Sequence, residues 1–337
     1  MTDTVADQNA GDVPSEADPD GVNDAGGSVP DESPEFEHQA RTQSQMVIRR
    51  FVRHRLAMAS LAVLILMILL AFVGLSMWKH SFEDAGLVQD GGRPTLDIIP
   101  FLDGDGLQLG EHPFGQDNIG RDYFAVTLRG AQNSLQIAFV AGLLATFLGT
   151  LVGGLAGYYR GIVDSVLMRF VDVMFTVPLL LVAAVLSRRF NSDSIIVVAL
   201  IIALASWLTT ARIIRAEFLS LREKEFVEAD RALGASNLRI MVRHVLPNTI
   251  GSVIVTATLL ISASILVETA LSFLGLGVRG SDFSLGKQVS QYQTAFNTRP
   301  WLFWYPGLFI VIIALCINFI GDGLRDAFDP RQNRTRQ

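Results

Sequence analysis

Long apolar stretches separated by polar segments are the dominant pattern along this chain. They lie near residues 56–77, 131–157, 163–187, 194–211, 249–276 and 302–320. Each reaches or approaches the ~20 residues that an α-helix, rising ~1.5 Å per residue, needs to cross ~30 Å of hydrocarbon. Because the backbone finds no water in that layer, the pattern predicts an all-α, polytopic membrane protein with six transmembrane helices.

Composition and charge support the membrane assignment. Half of the residues are apolar and 18% are charged, which is outside the ordinary range of soluble proteins. The first apolar stretch follows Arg49, Arg50, Arg53 and Arg55, as in a signal peptide. It starts some fifty residues into the chain, exceeds the usual ~7–15-residue signal core and has no A-x-A cleavage site, so we interpret it as an uncleaved first span.

The N-terminal segment has a different composition from the rest. Residues 1–40 contain eleven Asp or Glu and no Lys or Arg, and they include scarcely any apolar side chains. Such a segment cannot bury enough surface to offset its ordering entropy. We predict a disordered acidic cytoplasmic tail over residues 1–44, and a solvated extension is favoured over a regulatory or docking role.

The distribution of positive charge predicts the topology, because cytoplasmic loops carry an excess of Lys and Arg. With both termini inside, 18 of the 27 Lys and Arg residues fall on the cytoplasmic side. Arg188 and Arg189 are a local exception to this distribution, because they fall in a short outer loop. The resulting segments are a first transmembrane helix with a basic flank (45–78), an extracytoplasmic loop (79–130), a core of five transmembrane helices (131–323) with a cytoplasmic loop (212–248), and a cytoplasmic C-terminal tail (324–337).

Small residues recur in the second span. Gly149, Gly153 and Gly157 follow at four-residue spacing, which lets helix backbones approach closely in lipid. The spacing predicts tight packing, either in a bundle that shifts during a cycle or in a static one.

The sequence contains no recognisable catalytic or metal-binding motif. The five histidines show no metal-binding spacing, and the segment 280–287 departs from a phosphate-binding loop in its spacing and lacks the Ser or Thr that would hold magnesium. We therefore expect no cofactor, no metal and no ATP binding by this chain. Among ionisable residues at membrane depth, Glu268 should face a cavity or a partner, in a pathway or a subunit contact, and Arg169 should pair with Asp172.

The cytoplasmic loop predicts a docking element. A short helix over 224–233 would place Phe226, Ala229 and Leu233 on one apolar stripe that can press into a groove. Gly234 permits a backbone reversal after it. The next helix could be capped by Ser236 or Asn237.

This loop resembles a known motif. The run from Glu228 to Gly234, followed by Leu246 and Pro247, is similar to the E-A-A-x₃-G motif and later L-P of the membrane subunits of binding-protein-dependent ABC importers. It departs from that pattern at Asp230, which replaces an Ala, and at His244, where many members have Ile. The resemblance implies that the following residues couple the chain to an ATPase: Phe226, Glu228, Ala229, Asp230, Leu233, Gly234, Leu246 and Pro247.

Three further stretches resemble the dipeptide, oligopeptide and nickel permease group and its second, C-type, membrane subunit. They are 112–122 (HPFGQDNIGRD), 268–277 (ETALSFLGLG) and 318–331 (NFIGDGLRDAFDPR). The resemblance covers about residues 45–331 and implies a fold like that of type I ABC importer permeases.

What the resemblance implies is a five-part importer in a bacterial-type inner membrane. Its partners would be a second homologous permease, two ATPase subunits or domains, an extracytoplasmic substrate-binding protein and membrane lipid, with no nucleic acid. We expect di- or oligopeptides as substrates. The alternatives are nickel or another small solute in the same type of importer, a gradient-driven transporter acting alone, and a membrane-embedded enzyme, which the absence of a paired acid and base disfavours.

Overall fold

The computed structural model describes residues 43–96, 110–190, 194–278 and 282–328. Regular structure in these ranges is helical, as predicted, and the one β-type pairing among them is an isolated bridge between Gln116 and Asp122. The helices are α1 (Gln43–Arg53), α2 (Arg55–Met77, with a π turn at Leu70–Gly74), α3 (Tyr123–Tyr159), α4 (Gly161–Thr176), α5 (Leu179–Arg189), α6 (Ile195–Ser206), α7 (Leu208–Leu221), α8 (Glu225–Ala232), α9 (Asn237–Ile240, continued by a π turn at Met241–Val245 and a helical turn at Leu246–Asn248), α10 (Ile250–Phe273), α11 (Leu285–Tyr292) and α12 (Trp301–Phe328).

Four helices in the described ranges are individually long and apolar enough to cross a membrane, namely α2, α3, α10 and α12. Two bent pairs, α4 with α5 and α6 with α7, pass the same test when each is taken as one span. The number of spans therefore reaches the predicted six when each bent pair counts as one.

The third and fourth predicted spans are each bent. The axes of α4 and α5 differ by 87° across Val177 and Pro178, and those of α6 and α7 differ by 49° across Trp207. Proline lacks a donor and pushes the residue before it into extended conformation, and Val177 has φ −89° and ψ 127°. At the second break no proline is present, and the buried Trp207 stacks on Phe170 of α4.

The helix that contains the second predicted span, which was expected from residue 131, begins at Tyr123. Asp122 caps α3 by accepting a hydrogen bond from the backbone N–H of Ala125 at 2.8 Å, so the outer loop ends there. The polar first turns of α3 contact protein rather than lipid: Arg129 pairs with Asp282 at 3.0 Å, and the Asn133 amide donates to the Phe283 carbonyl at 2.7 Å. Apolar length alone could not reveal these turns.

Two further boundaries also differ from the prediction. The segment 45–78 is broken at His54, whose side chain caps α2 by accepting from Ala57 N at 3.1 Å. Helix α12 continues past the predicted start of the C-terminal tail at 324, because Ala327 is still buried. The predicted acidic tail lies outside the described residues, except for the first residues of α1.

Helix α3 is the centre of the bundle, packing against α6, α7 and α10. A Cβ atom added at Gly153 would lie 2.3 Å from the Ala211 carbonyl oxygen, and one at Gly157 would lie 2.6 Å from the Arg215 carbonyl oxygen of the same helix, α7. Another at Gly142 would lie 2.5 Å from Ile261 of α10. The predicted tight packing along the glycine row is thus confirmed.

A compact segment over residues 112–122 fixes the N-terminal end of α3. The buried Asp117 carboxylate accepts from the Ile119 and Arg121 amides at 2.9 Å and from the Arg121 side chain at 2.6 Å. The Tyr292 hydroxyl also donates to Asp117 at 3.3 Å, and burial, followed by the Asp117 charge, raises the pKa of Tyr292 to about 12. Tyr292 therefore remains a neutral donor that ties α11 to the segment.

We predict that Gly153→Ala destabilises the protein by about 1–3 kcal/mol, because the added methyl group collides with the backbone of α7. The matched control is Gly307→Ala in α12, where an added Cβ meets no atom within 4 Å. That control should be neutral or slightly stabilising, since Ala is the better helix former. Thermal inactivation of the purified complex in one detergent measures both, and equal stability of Gly153→Ala and wild type would contradict the packing argument.

Candidate functional site

Helix α8 lies at the end of the bundle where α7 stops, and one face anchors it. Val227 is fully buried in a cluster with Tyr158, Ile214, Phe218, Ile240 and Val245. The three residues of the predicted apolar stripe point away from this cluster: Phe226 is 40% exposed, Leu233 is 86% exposed, and Ala229 is exposed. Exposed apolar side chains grouped on a rigidly anchored helix are typical of a protein interaction surface.

The turn after α8 depends on a glycine. Gly234 has φ +80°, a conformation that side-chain-bearing residues rarely adopt. Its N–H donates to the Arg231 carbonyl at 3.0 Å, and the following Ala235 N–H donates to the Asp230 carbonyl at 3.0 Å. These bonds occupy carbonyls that the end of the helix leaves unpaired, so the turn is a defined C-cap.

Asp230 and His244, the two departures from the importer motif, contact each other. The Asp230 Oδ2 and His244 Nδ1 atoms are 3.3 Å apart, and both side chains are partly exposed. Because Oδ2 has no partner with hydrogen-bond geometry, the contact is electrostatic when the imidazole is protonated. The pair connects α8 to the π turn, where Leu246 packs against the Val227 cluster and Pro247 remains exposed.

Ion pairs join the flanks of α8 to the bundle. Arg215 donates to Asp164 at 2.6 Å, which ties α7 to the start of α4. Arg160 pairs with Glu223, and its hydrogen bond and charge lower the pKa of the Glu223 carboxyl. Arg222 donates to the Tyr158 carbonyl at the end of α3. These contacts hold the adjoining ends of α3, α4 and α7 together, and α8 packs against α3 and α7 through Val227.

Two local expectations need correction. Asp172 pairs with Arg212 of α7 at 2.7 Å, and the predicted i, i+3 bond with Arg169 is absent from the described contacts. Helix–helix packing brings Arg212 closer than the neighbour in sequence. Ser236 occupies the N-cap of α9, but its side chain makes no capping bond, and the Asn237 amide oxygen accepts from the Tyr158 hydroxyl at 3.1 Å.

Glu268 belongs to a separate site on α10. Its carboxylate is fully buried within this chain and accepts from the Ser272 hydroxyl at 2.7 Å and the Ser134 hydroxyl at 3.2 Å. Ser134 in turn accepts from the backbone N–H of Leu285 at 3.0 Å, so the carboxylate joins α3, α10 and the start of α11. In this conformation it faces side chains of its own chain rather than a surface, and its role in a pathway or subunit contact stays a prediction.

Several residues that fix the N-terminal end of α3 were not predicted from the sequence. Asp117, Asp122 and Arg121 are parts of the 112–122 stretch, which had been noted only as a resemblance. The structure also brings in Tyr292, which lies far along the chain. The sequence signal for this segment was the presence of glycines close to charged residues. Gly115 and Gly120 have φ of +79° and +78°, and they form the turns around Asp117.

Comparisons with known proteins identify the family. A family model described as binding-protein-dependent transport system inner membrane component matches residues 149–334, and one described as the N-terminal TM domain of oligopeptide transport permease C matches residues 42–90. The oligopeptide transport system permease protein OppC of Mycobacterium bovis is 38% identical over 293 residues, covering 87% of this chain and 96% of that protein. The dipeptide transport system permease protein DppC of Bacillus subtilis is 35% identical over 288 residues, covering 85% of each.

A solved structure of the MetNI methionine ABC transporter in an inward facing conformation aligns with a TM-score of 0.48 and 21% identity, covering 60% of this chain and 96% of the other. The family assignment rests on the family models and on the two permeases that match most of the chain. The chain is a multi-pass transport subunit, and it belongs to the family of inner membrane components of binding-protein-dependent transport systems.

Proposed function

We propose that this chain forms half of the pore of an ATP-driven importer for di- or oligopeptides. A second homologous permease forms the other half, two ATPase subunits or domains bind on the cytoplasmic side, and a binding protein delivers substrate from outside. The peptide assignment is supported by the names of the relatives, which are an oligopeptide and a dipeptide permease matched over 293 and 288 residues. Substrate specificity is expected to reside mostly in the external binding protein.

The proposed orientation places both termini and α8 in the cytoplasm. It is supported by the excess of Lys and Arg on that side, 18 of 27 residues. The ion pairs that hold the flanks of α8, Arg215 with Asp164 and Arg160 with Glu223, also lie in this basic region.

The coupling role of α8 is carried by one observation: a short helix has its inner side buried in the bundle and its apolar stripe exposed. When the two ATPase subunits close together on ATP binding, the subunit next to this chain would contact Phe226, Ala229 and Leu233. Because Val227 packs on Tyr158 of α3 and on Phe218 of α7, a displacement of α8 is expected to move these two helices with it. Alternating access then follows from rigid-body motion, with no covalent step in this chain.

We expect the loop containing α8 to be accessible only from the cytoplasm. A cysteine introduced at Leu238, which is 63% exposed and lies outside the proposed ATPase contact, should resist a membrane-impermeant thiol reagent in intact cells and react after permeabilisation. The native Cys316 is buried and gives little background. Labelling of Leu238→Cys in intact cells would contradict the proposed topology.

Replacement of Gly234 should uncouple transport. Gly234→Val places a β-branched residue at φ +80°, which costs about 1–2 kcal/mol and misaims the turn, although no neighbouring atom clashes. Ser236→Val is the matched control, because Ser236 is exposed at φ −68° and ψ 149° and its side chain makes no capping bond. Both proteins should insert into the membrane, and only Gly234→Val should lose ATP-dependent peptide uptake or ATPase retention. Wild-type uptake with normal retention in Gly234→Val would refute the coupling assignment.

The Glu228 carboxylate is exposed on α8 and is the expected polar contact to the ATPase. A charge-assisted bond in a desolvated interface is worth about 1.5–3 kcal/mol, so Glu228→Ala should weaken ATPase binding by roughly 10- to 150-fold. Glu225→Ala removes an exposed carboxylate from the same helix and serves as the control. Titration of purified ATPase subunits onto the permease pair measures both affinities. Equal effects of the two substitutions would exclude a specific role for Glu228.

A further inference from the structure

An open groove with a volume of about 850 Å³ lies between α1, α7, α10 and α12, at the end of the bundle that carries α8. Its lining is largely apolar and includes Val47, Ile48, Ile213, Ile250, Val255 and Leu259. It runs along α10 for more than two turns, from Ile250 to Leu259, which is about 13 Å of helix. An elongated apolar ligand fits these dimensions better than a compact polar one.

One cation is placed on the wall of this groove. Arg325 lines it and is exposed, and within the described part of the chain its guanidinium makes no hydrogen bond or ion pair. Two of the nearby carboxylates have other partners: Asp326 lies 3.6 Å from His54, and Glu217 accepts from the Ser252 hydroxyl. A third, Asp322, is exposed three residues before Arg325 on α12. The groove therefore offers a cation that has no ion-pair partner among the described residues, beside an apolar surface.

Helix α1 also combines exposed apolar side chains with exposed arginines. Its residues Val47 and Ile48 line the groove, while Val52 is 56% exposed and apolar. Arg49 and Arg53, one turn apart, are exposed as well. A short helix with exposed apolar and cationic faces is typical of a segment that lies in the interface of a membrane.

We propose that this groove binds an anionic phospholipid, with an acyl chain along α10 and the phosphate on Arg325. Arg49 and Arg53 add positive potential near the headgroup, and each such residue favours an anionic membrane surface. A headgroup with net negative charge is preferred over a zwitterionic one, because the ammonium of the latter is repelled by the same arginines. This site goes beyond peptide import and stands whichever solute is carried.

The test uses the whole purified complex with its partner permease and ATPases. Native mass spectrometry after exposure to equal amounts of phosphatidylglycerol and phosphatidylcholine should detect preferential retention of phosphatidylglycerol. Arg325→Gln should reduce that retention about fivefold, the effect of removing one arginine near an anionic surface. Arg189→Gln changes the same charge at an exposed position outside the groove and should leave retention unchanged.

A second variant tests the acyl site independently of charge. Leu259→Trp fills the groove from an exposed position and should reduce retention of both lipids in a complex that still assembles. Equal retention of the two lipids by wild type, or unchanged retention in Arg325→Gln, would overturn the proposal. A photo-cross-linker at residue 259 that attaches to the second permease instead of to lipid would also overturn it, because protein would then occupy the groove.

Discussion

The close approach of α3 to its neighbours is the constraint on which the rest of the bundle depends. In lipid, helices gain little from excluding water from their contacts, and association depends on van der Waals packing and hydrogen bonds. The glycine row of α3 lets the backbone of α7 come within contact distance over more than two turns. Because α7 leads through a short turn into α8, that contact also fixes the position of α8.

Buried polar groups determine which parts of the protein remain rigid. Asp117 has several donors, and Glu268 has two hydroxyl donors, so neither carboxylate carries the full penalty of burial. Both join segments that are far apart in sequence, the outer segment with α11 and α3 with α10. The end of the bundle that carries residues 112–122 is thus held by specific buried bonds, whereas α8 at the other end is held by the buried Val227 and by the partly exposed contact of Asp230 with His244.

The sequence predicted the fold class, the apolar spans and the short helix α8 because each depends on local periodicity or on the length of an apolar stretch. It did not predict the 87° break, although Pro178 was visible, because apolar length continued on both sides of it. It also did not predict the helical turns of α3 before residue 131, since Arg129 and Asn133 count as polar until their partners near 282 are known. The pairing of Asp172 with Arg212 depends on helix packing, which no spacing along the chain encodes.

The contact between Asp230 and His244 affects how this loop can be exchanged with that of another permease. The two residues lie on different helical segments, fourteen positions apart, and each replaces an apolar residue of the usual motif. A chimera that imports only α8 from a relative would leave His244 facing an alanine, and one that imports only the following segment would leave Asp230 beside an isoleucine. The smallest exchangeable unit is therefore the whole stretch from α8 through the π turn, and a junction placed between them separates a charge from its partner.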